Sequence, residues 1–161
     1  MDNVQTEIQI QAPREDVAAY ASDPKNAPQW YRNIDSARWL SEPPLRVGSP
    51  VAFSAQFLGR TLDYSYEIVE LVPGERLLMR TSQGPFPMQT TYTWHDAGDG
   101  TGMTLCNSGN PAGSPLLPGP SWALSCAGQC ARTWRNSSRS LNPSYRVHSR
   151  RSLYPRTHSA L

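Results

Sequence analysis

The sequence predicts an α+β fold: one curved antiparallel sheet of about seven strands, with two short helices inserted after the first strand. Three observations carry this. Apolar and polar residues alternate in separate runs up to Asn107. Tight-turn residues (Gly59, Pro73-Gly74, Gly98) fall between those runs. The helix-like stretches before Asn107 lie between Pro13 and Tyr31.

The first strand is Val4 to Gln11, where Val4, Thr6, Ile8 and Ile10 share one side and Gln5, Glu7, Gln9 and Gln11 the other. Such a period of two marks a half-buried strand. Ala12-Pro13 ends it, and Pro13 suits the first turn of a helix because its missing N–H has no intrahelical partner there. Glu15 and Asp16 favour the positive end of that helix, and Val17, Tyr20 and Ala21 supply its apolar face. Ser22-Asp23-Pro24 stops it, since the residue before proline is pushed out of the helical region. Ala27 to Tyr31 reads as a second short helix or turn.

The remaining strands follow in series. Ile34 to Leu40 closes at Pro43-Pro44. Pro50 to Phe57 alternates through Val51, Phe53, Ala55 and Phe57. After a tight Leu58-Gly59-Arg60 connection, Thr61 to Val72 sets Leu62, Tyr64, Tyr66 and Ile68 on one face, with Asp63 and Glu67 on the opposite, solvent-facing side. Arg76 to Thr81 follows the Pro73-Gly74 turn. Met88, Thr90, Tyr92 and Trp94 then alternate with Gln89, Thr91 and Thr93, and Met103 to Asn107 is the last strand. Gly98, Gly100 and Gly102 lie between two strands, so they make a hairpin and not a dinucleotide loop, which leads into a helix.

Charge divides the chain. All 13 acidic residues lie at or before Asp99, whereas every basic residue from Gly100 onward is an arginine. Residues 1–112 accordingly form the sheet domain. Residues 113–161 form an atypical tail rich in Ser, Arg and Pro, expected to be partly helical or disordered. Arginines diluted in this way do not make a specific nucleic-acid surface. No apolar run is long enough to span a bilayer. Met1 to Ile10 is polar and alternating, unlike a signal peptide. The 3 cysteines have no paired framework, and Cys126 with Cys130 lacks the further ligands a zinc site needs. These features point to reduced thiols in the cytoplasm and to no metal or cofactor.

The order Ile8 to Val17, Tyr20 to Pro24, Trp30-Tyr31, Gly48-Ser49, Pro73 to Leu77 and Tyr92-Thr93-Trp94 before a Gly-rich hairpin resembles the START/birch-pollen-allergen superfamily (SRPBCC), and within it the polyketide cyclase/dehydrase-like group. The resemblance covers about the first 107 residues. It implies a helix-grip fold, in which the sheet wraps a long C-terminal helix around a cavity. It also implies a hydrophobic ligand: members of the superfamily bind lipids, sterols, polyketides or plant hormones. A minority catalyse cyclisation or dehydration, with no shared catalytic motif to transfer.

The closing helix is where this chain departs. Trp122 to Ser138 lacks an amphipathic pattern. Read one base out of frame from near Gly113-Ser114, codon degeneracy permits Met-Gly-Ala-Glu-Leu-Arg-Arg-Ala-Met-Arg-Lys-Asp-Leu-Ala-Gln-Leu-Lys across Ser121 to Ser138. That string is amphipathic and carries both charges. The acid-free tail is what an out-of-frame, GC-rich gene encodes.

Aromatic and methionine residues on the inward strand faces are the main functional signal. Phe53, Phe57, Tyr64, Tyr66, Met79, Met88, Tyr92 and Trp94 are candidates for a concave apolar wall, with Trp30 and Tyr31 near its mouth. The same residues would also serve simply as core. Arg80 is the candidate anchor for a ligand carboxylate or enolate, or else a surface cation. His95, beside Asp96 at a strand end, reads as a loop residue before it reads as a base. Three functions stay open: binding of an apolar or aromatic small molecule, a polyketide cyclase/dehydrase-type enzyme, and a compromised product without its closing helix. Neither a catalytic residue nor the oligomeric state is legible.

Overall fold

The computed structural model describes residues 2–31, 33–57, 59–109 and 147–152. It contains β1 (Asp2–Ile10), α1 (Arg14–Ser22), a 3-10 turn (Pro24–Asn26), α2 (Ala27–Trp30), β2 (Ile34–Trp39), β3 (Pro50–Phe57), β4 (Arg60–Val72), β5 (Arg76–Gln83), β6 (Met88–Ala97), β7 (Gly100–Gly109) and β8 (Val147–Ser152). The strands form one sheet in the order β2-β3-β4-β5-β6-β7-β1-β8, every neighbouring pair antiparallel.

The alternation in sequence becomes a two-faced sheet. On β1, Thr6, Ile8 and Ile10 are buried, and on β6 Thr90, Tyr92 and Trp94 are buried while their neighbours reach solvent to varying degrees. Register shifts interrupt the β4–β5 ladder at Ser65/Tyr66 and at Ile68/Glu70, and the β2–β3 ladder at Ile34/Ser36. Such irregularities bend strands and increase twist. The sheet is therefore curled, and its inner face is concave.

The helices fill one part of that concavity. Asp23 accepts the backbone N–H of Lys25 at 3.0 Å, which fixes the corner between α1 and the 3-10 turn. Pro13 stands at the N-cap of α1 rather than within its first turn, a shift of one residue. Val17, Ala18 and Ala21 bury the inner side of α1, and Trp30 at the end of α2 is 0% exposed. Trp30 stacks on Tyr31 with centroids 5.7 Å apart and meets Tyr92 edge-on at 5.7 Å. This cluster joins Ile8, Ile68, Leu77, Met103 and Leu105 in a single core.

Two turns depend on glycine. Gly59 and Gly74 both have a φ of 75°, a region that a side chain rarely tolerates. The β6–β7 hairpin is tighter than the sequence suggests: Ala97 pairs with Gly100, and β7 begins at Gly100 instead of Met103. Gly102 pairs with His95, whose ring lies where a Gly102 Cβ would stand. The ring covers the bare glycine, and this lets the ladder run on.

β8 is the strand that the sequence pattern did not announce. It pairs with β1 from Gln5↔Ser152 to Ile10↔Val147 and covers that edge. The other readings within 113–161, including Cys126, Cys130, and the closing helix over Trp122 to Ser138, lie outside the described residues.

Candidate functional site

The part of the concave face away from Trp30 is not filled by described residues. It holds a cavity of about 60 Å³, partly open to solvent. The described residues lining it are Tyr31, Asn33, Ile34, Ala55, Gln56, Leu62, Tyr64, Tyr66, Phe86, Met88, Gln89, Asn107 and Ser108. Each wall has a structural origin. Leu62, Tyr64 and Tyr66 stand on the inward phase of β4, and Met88 and Asn107 on the inward phases of β6 and β7. Tyr31 leaves α2 as its C-cap, with its backbone N–H bonded to Ala27 O at 2.8 Å.

Aromatic rings build one side of the wall. Phe53 stacks on Tyr64 at 5.7 Å, and Tyr66 meets both edge-on, at 5.6 Å from Phe53 and 5.2 Å from Tyr64. These geometries are the preferred ones for rings with a negative face and a positive edge.

Behind the rings runs a buried polar chain. The Tyr66 hydroxyl lies 3.0 Å from Thr90 Oγ1, which donates to Asn107 Oδ1 at 2.7 Å; Asn107 Nδ2 in turn donates to the Tyr31 oxygen at 3.2 Å. All four residues are buried. The chain ties β4, β6, β7 and the end of α2 together, and buried polar groups of this kind are stable only when paired.

The fold agrees with what comparison shows. Residues 1–130 match the family model described as polyketide cyclase / dehydrase and lipid transport. The chain belongs to that family. The match extends past the 107 residues over which the sequence motifs are legible. Three solved structures are similar in fold. A protein from Thermus thermophilus has TM-score 0.68 and 19% identity, over 88% of this chain and 99% of its own. A START superfamily protein from Mycobacterium smegmatis has TM-score 0.67 and 15% identity, over 88% and 97%. Ginseng major latex-like protein 151 from Panax ginseng has TM-score 0.66 and 15% identity, over 86% and 96%. No curated protein matches the chain in sequence. The fold is START-like, and the family is the one described as polyketide cyclase / dehydrase and lipid transport.

Within this polyketide cyclase/dehydrase and lipid transport domain, the candidate residues separate into groups. Tyr64, Tyr66 and Met88 line the cavity, together with Tyr31. Trp30, Tyr92 and Trp94 are packed into the core, at 0%, 5% and 4% exposure. Phe53 and Met79 border a smaller space with Ala21 and Leu45, and Phe53 touches the main cavity's wall through its contact with Tyr64. The Phe57 side chain lies outside the described residues. Arg80 is exposed and is not among the described lining residues, but it donates to Oε1 of the lining residue Gln89 at 3.3 Å. His95 is exposed and covers Gly102.

The polar lining residues Asn33, Gln56, Gln89, Asn107 and Ser108, the apolar Ile34, Ala55, Leu62 and Phe86, and Thr90 in the buried chain were not among the sequence candidates. A signal existed for two of them. Thr90 is in phase with Met88 and Tyr92, and Asn107 is in phase with Met103 and Leu105. A polar residue on an otherwise apolar phase marks an inward polar group. Phe86 gave no signal, being enclosed by Pro85 and Pro87 in a loop.

No His/Cys/Asp/Glu cluster able to hold a metal occurs among the described residues. No described helix is long and apolar enough to cross a membrane.

Proposed function

We propose that the domain binds an apolar or aromatic small molecule in the cavity between Tyr31, Tyr64, Tyr66 and Met88. The carrying observation is a cavity on the concave face walled chiefly by aromatic and aliphatic side chains, with a few polar groups. Binding sites for small molecules have this composition. Family membership supports the reading, since the family description includes lipid transport.

The family description also names cyclases and dehydrases. Such chemistry needs a proton carrier at the reacting atom. The described lining offers tyrosine hydroxyls for that role and no Asp, Glu, His or Lys, which favours binding over turnover. The compromised-product reading concerns residues 113–146, outside the described set. Location in the cytoplasm belongs to the same proposal and is supported by a sequence whose 3 cysteines show no paired spacing.

The test is a thermal melt with and without a panel of apolar and aromatic compounds. A ligand that binds only the folded state raises the midpoint with the logarithm of its excess over Kd, about 2.7 kcal/mol of stabilisation at a hundredfold excess. A midpoint raised by one chemical class supports binding in the cavity. A cooperative melt that no compound shifts refutes it.

A further inference from the structure

We infer that Asn33 is the residue that orients a ligand in the cavity, and that it takes a carboxamide group; this rests on the binding function proposed above. The described lining includes the amide side chains of Asn33, Gln56, Gln89 and Asn107. The last three have partners in the protein. Gln56 Nε2 donates to Asp35 Oδ2 at 2.7 Å and to Thr61 Oγ1 at 2.9 Å. Gln89 Oε1 accepts from Arg80 at 3.3 Å. Asn107 is held at both ends, by Thr90 and by Tyr31. Asn33 differs from all of these. It is only 8% exposed, yet its side chain has no hydrogen-bond partner among the described residues. A buried amide in that position has given up water and gained no bond in return, so it calls for a partner that arrives from outside the chain.

The backbone fixes where this amide stands. Asn33 lies between the end of α2 and the start of β2. The Ile34 N–H donates to Tyr31 O at 2.9 Å, and the Gln56 N–H donates to Asn33 O at 2.8 Å. The residue is therefore pinned on both sides without help from its own side chain, and a group placed in advance costs less to engage on binding. Ile34 and its ladder partner Ala55 stand beside it in the lining, as does Tyr31. The Asn33 side chain carries a carbonyl acceptor and N–H donors in one plane. A ligand group that satisfies both has a donor beside an acceptor. A carboxamide is such a group, and it closes two antiparallel hydrogen bonds with asparagine. A ketone or an ester engages the N–H alone and leaves Asn33 Oδ1 buried without a donor.

Benzamide and acetophenone test this on the full chain, because they share size and carbonyl and differ by an amide NH₂ against a methyl. Binding is read by calorimetry. The Asn33 side-chain amide is read by proton–nitrogen NMR, its signal assigned by its loss in Asn33→Leu. Benzamide is expected to bind at least ~10-fold more tightly than acetophenone, since it alone pairs the buried acceptor. Benzamide should also shift the Asn33 amide signal. In Asn33→Leu the preference should disappear, and the variant should melt no lower than the parent chain, because an amide without a partner gives up no bond. Should leucine not fit, Asn33→Ala is read in its place. Equal binding of the two probes overturns the inference and leaves the cavity's binding function standing. So does a preference that survives in the variant, or an Asn33 signal that benzamide does not move. A melting midpoint lowered in both variants makes Asn33 a structural residue and overturns the inference as well. Binding of neither probe overturns both the inference and the function on which it rests.

Discussion

The Tyr66 hydroxyl reaches past β5 to Thr90 on β6, with 3.0 Å between the oxygens. Neither residue pairs with the other in the ladder, so the contact belongs to the concave face and not to the sheet. It places polar chemistry in a wall that is otherwise ring and aliphatic surface. It also makes the cavity's shape depend on side-chain hydrogen bonds as well as on strand register.

Thr90→Val tests that dependence. Valine matches threonine in shape and removes the middle of the chain. Asn107 Oδ1 loses its donor in a buried position, and Tyr66 loses its bond to Thr90. A buried polar group left unpaired costs about 1–3 kcal/mol. Urea unfolding should show a loss in that range. Tyr66→Phe, which removes the donor at the chain's end, should cost less.

Trp30 offers a second test, of the packed half. It is 0% exposed and contacts both Tyr31 and Tyr92. Trp30→Ala should cost about 3–5 kcal/mol through lost burial and the cavity left behind. That is a large share of the stability of a domain this size. Trp30→Phe keeps most of the contact area and should retain a cooperative transition by circular dichroism.

How much of this was legible follows from what each element needs. β1, β4 and β6 showed in the sequence because one face of each is buried, and a period of two then follows from the pleat. Gly59 and Gly74 showed because their positive φ excludes other residues. β8 did not show: pairing with an exposed edge uses backbone groups alone and imposes no alternation on Val147 to Ser152. The cavity was only half legible for a related reason. Aromatic residues such as Tyr64 and Trp94 carry the same signal whether they line a space or fill one. Deciding between these required knowing that α1 packs on β6 and β7, the strands of Trp94 and its partner Met103, and that no described helix covers Tyr64. Arg80 illustrates the converse. Its neighbours Leu78 and Met79 are buried, yet its own side chain turns to solvent.

The unannounced tail carries a genetic prediction. If the frame shifts near Gly113-Ser114, a single-base insertion or deletion in the gene restores the amphipathic string across Ser121 to Ser138. The nucleotide sequence decides this directly, because one codon choice outside the required set ends the idea. Expression of the frame-restored chain beside this one then reads its consequence. A closing helix over the concave face should raise the melting midpoint, since it would bury apolar surface at roughly 25 cal/mol per Å².

Two glycines at the β6–β7 hairpin should respond differently to the same substitution. A Cβ on Gly100 would collide with the carbonyl oxygen of Ile10 and crowd the Gln11 backbone. Those atoms belong to β1 and to its exit toward α1, where Thr101 Oγ1 also holds Ala12 O at 2.7 Å. They have little freedom to move, so Gly100→Ala should cost about 1–3 kcal/mol, the usual penalty for overpacking. A Cβ on Gly102 would instead meet the imidazole of His95. That ring is exposed and can rotate away, so Gly102→Ala should cost under about 1 kcal/mol, and the residual cost should vanish in a His95→Ala background. Thermal unfolding of the two single variants and of the His95→Ala/Gly102→Ala pair measures both effects. Equal losses at the two glycines would mean that the β1 exit yields as easily as a surface ring, contrary to the close approach of Gly100 to Ile10.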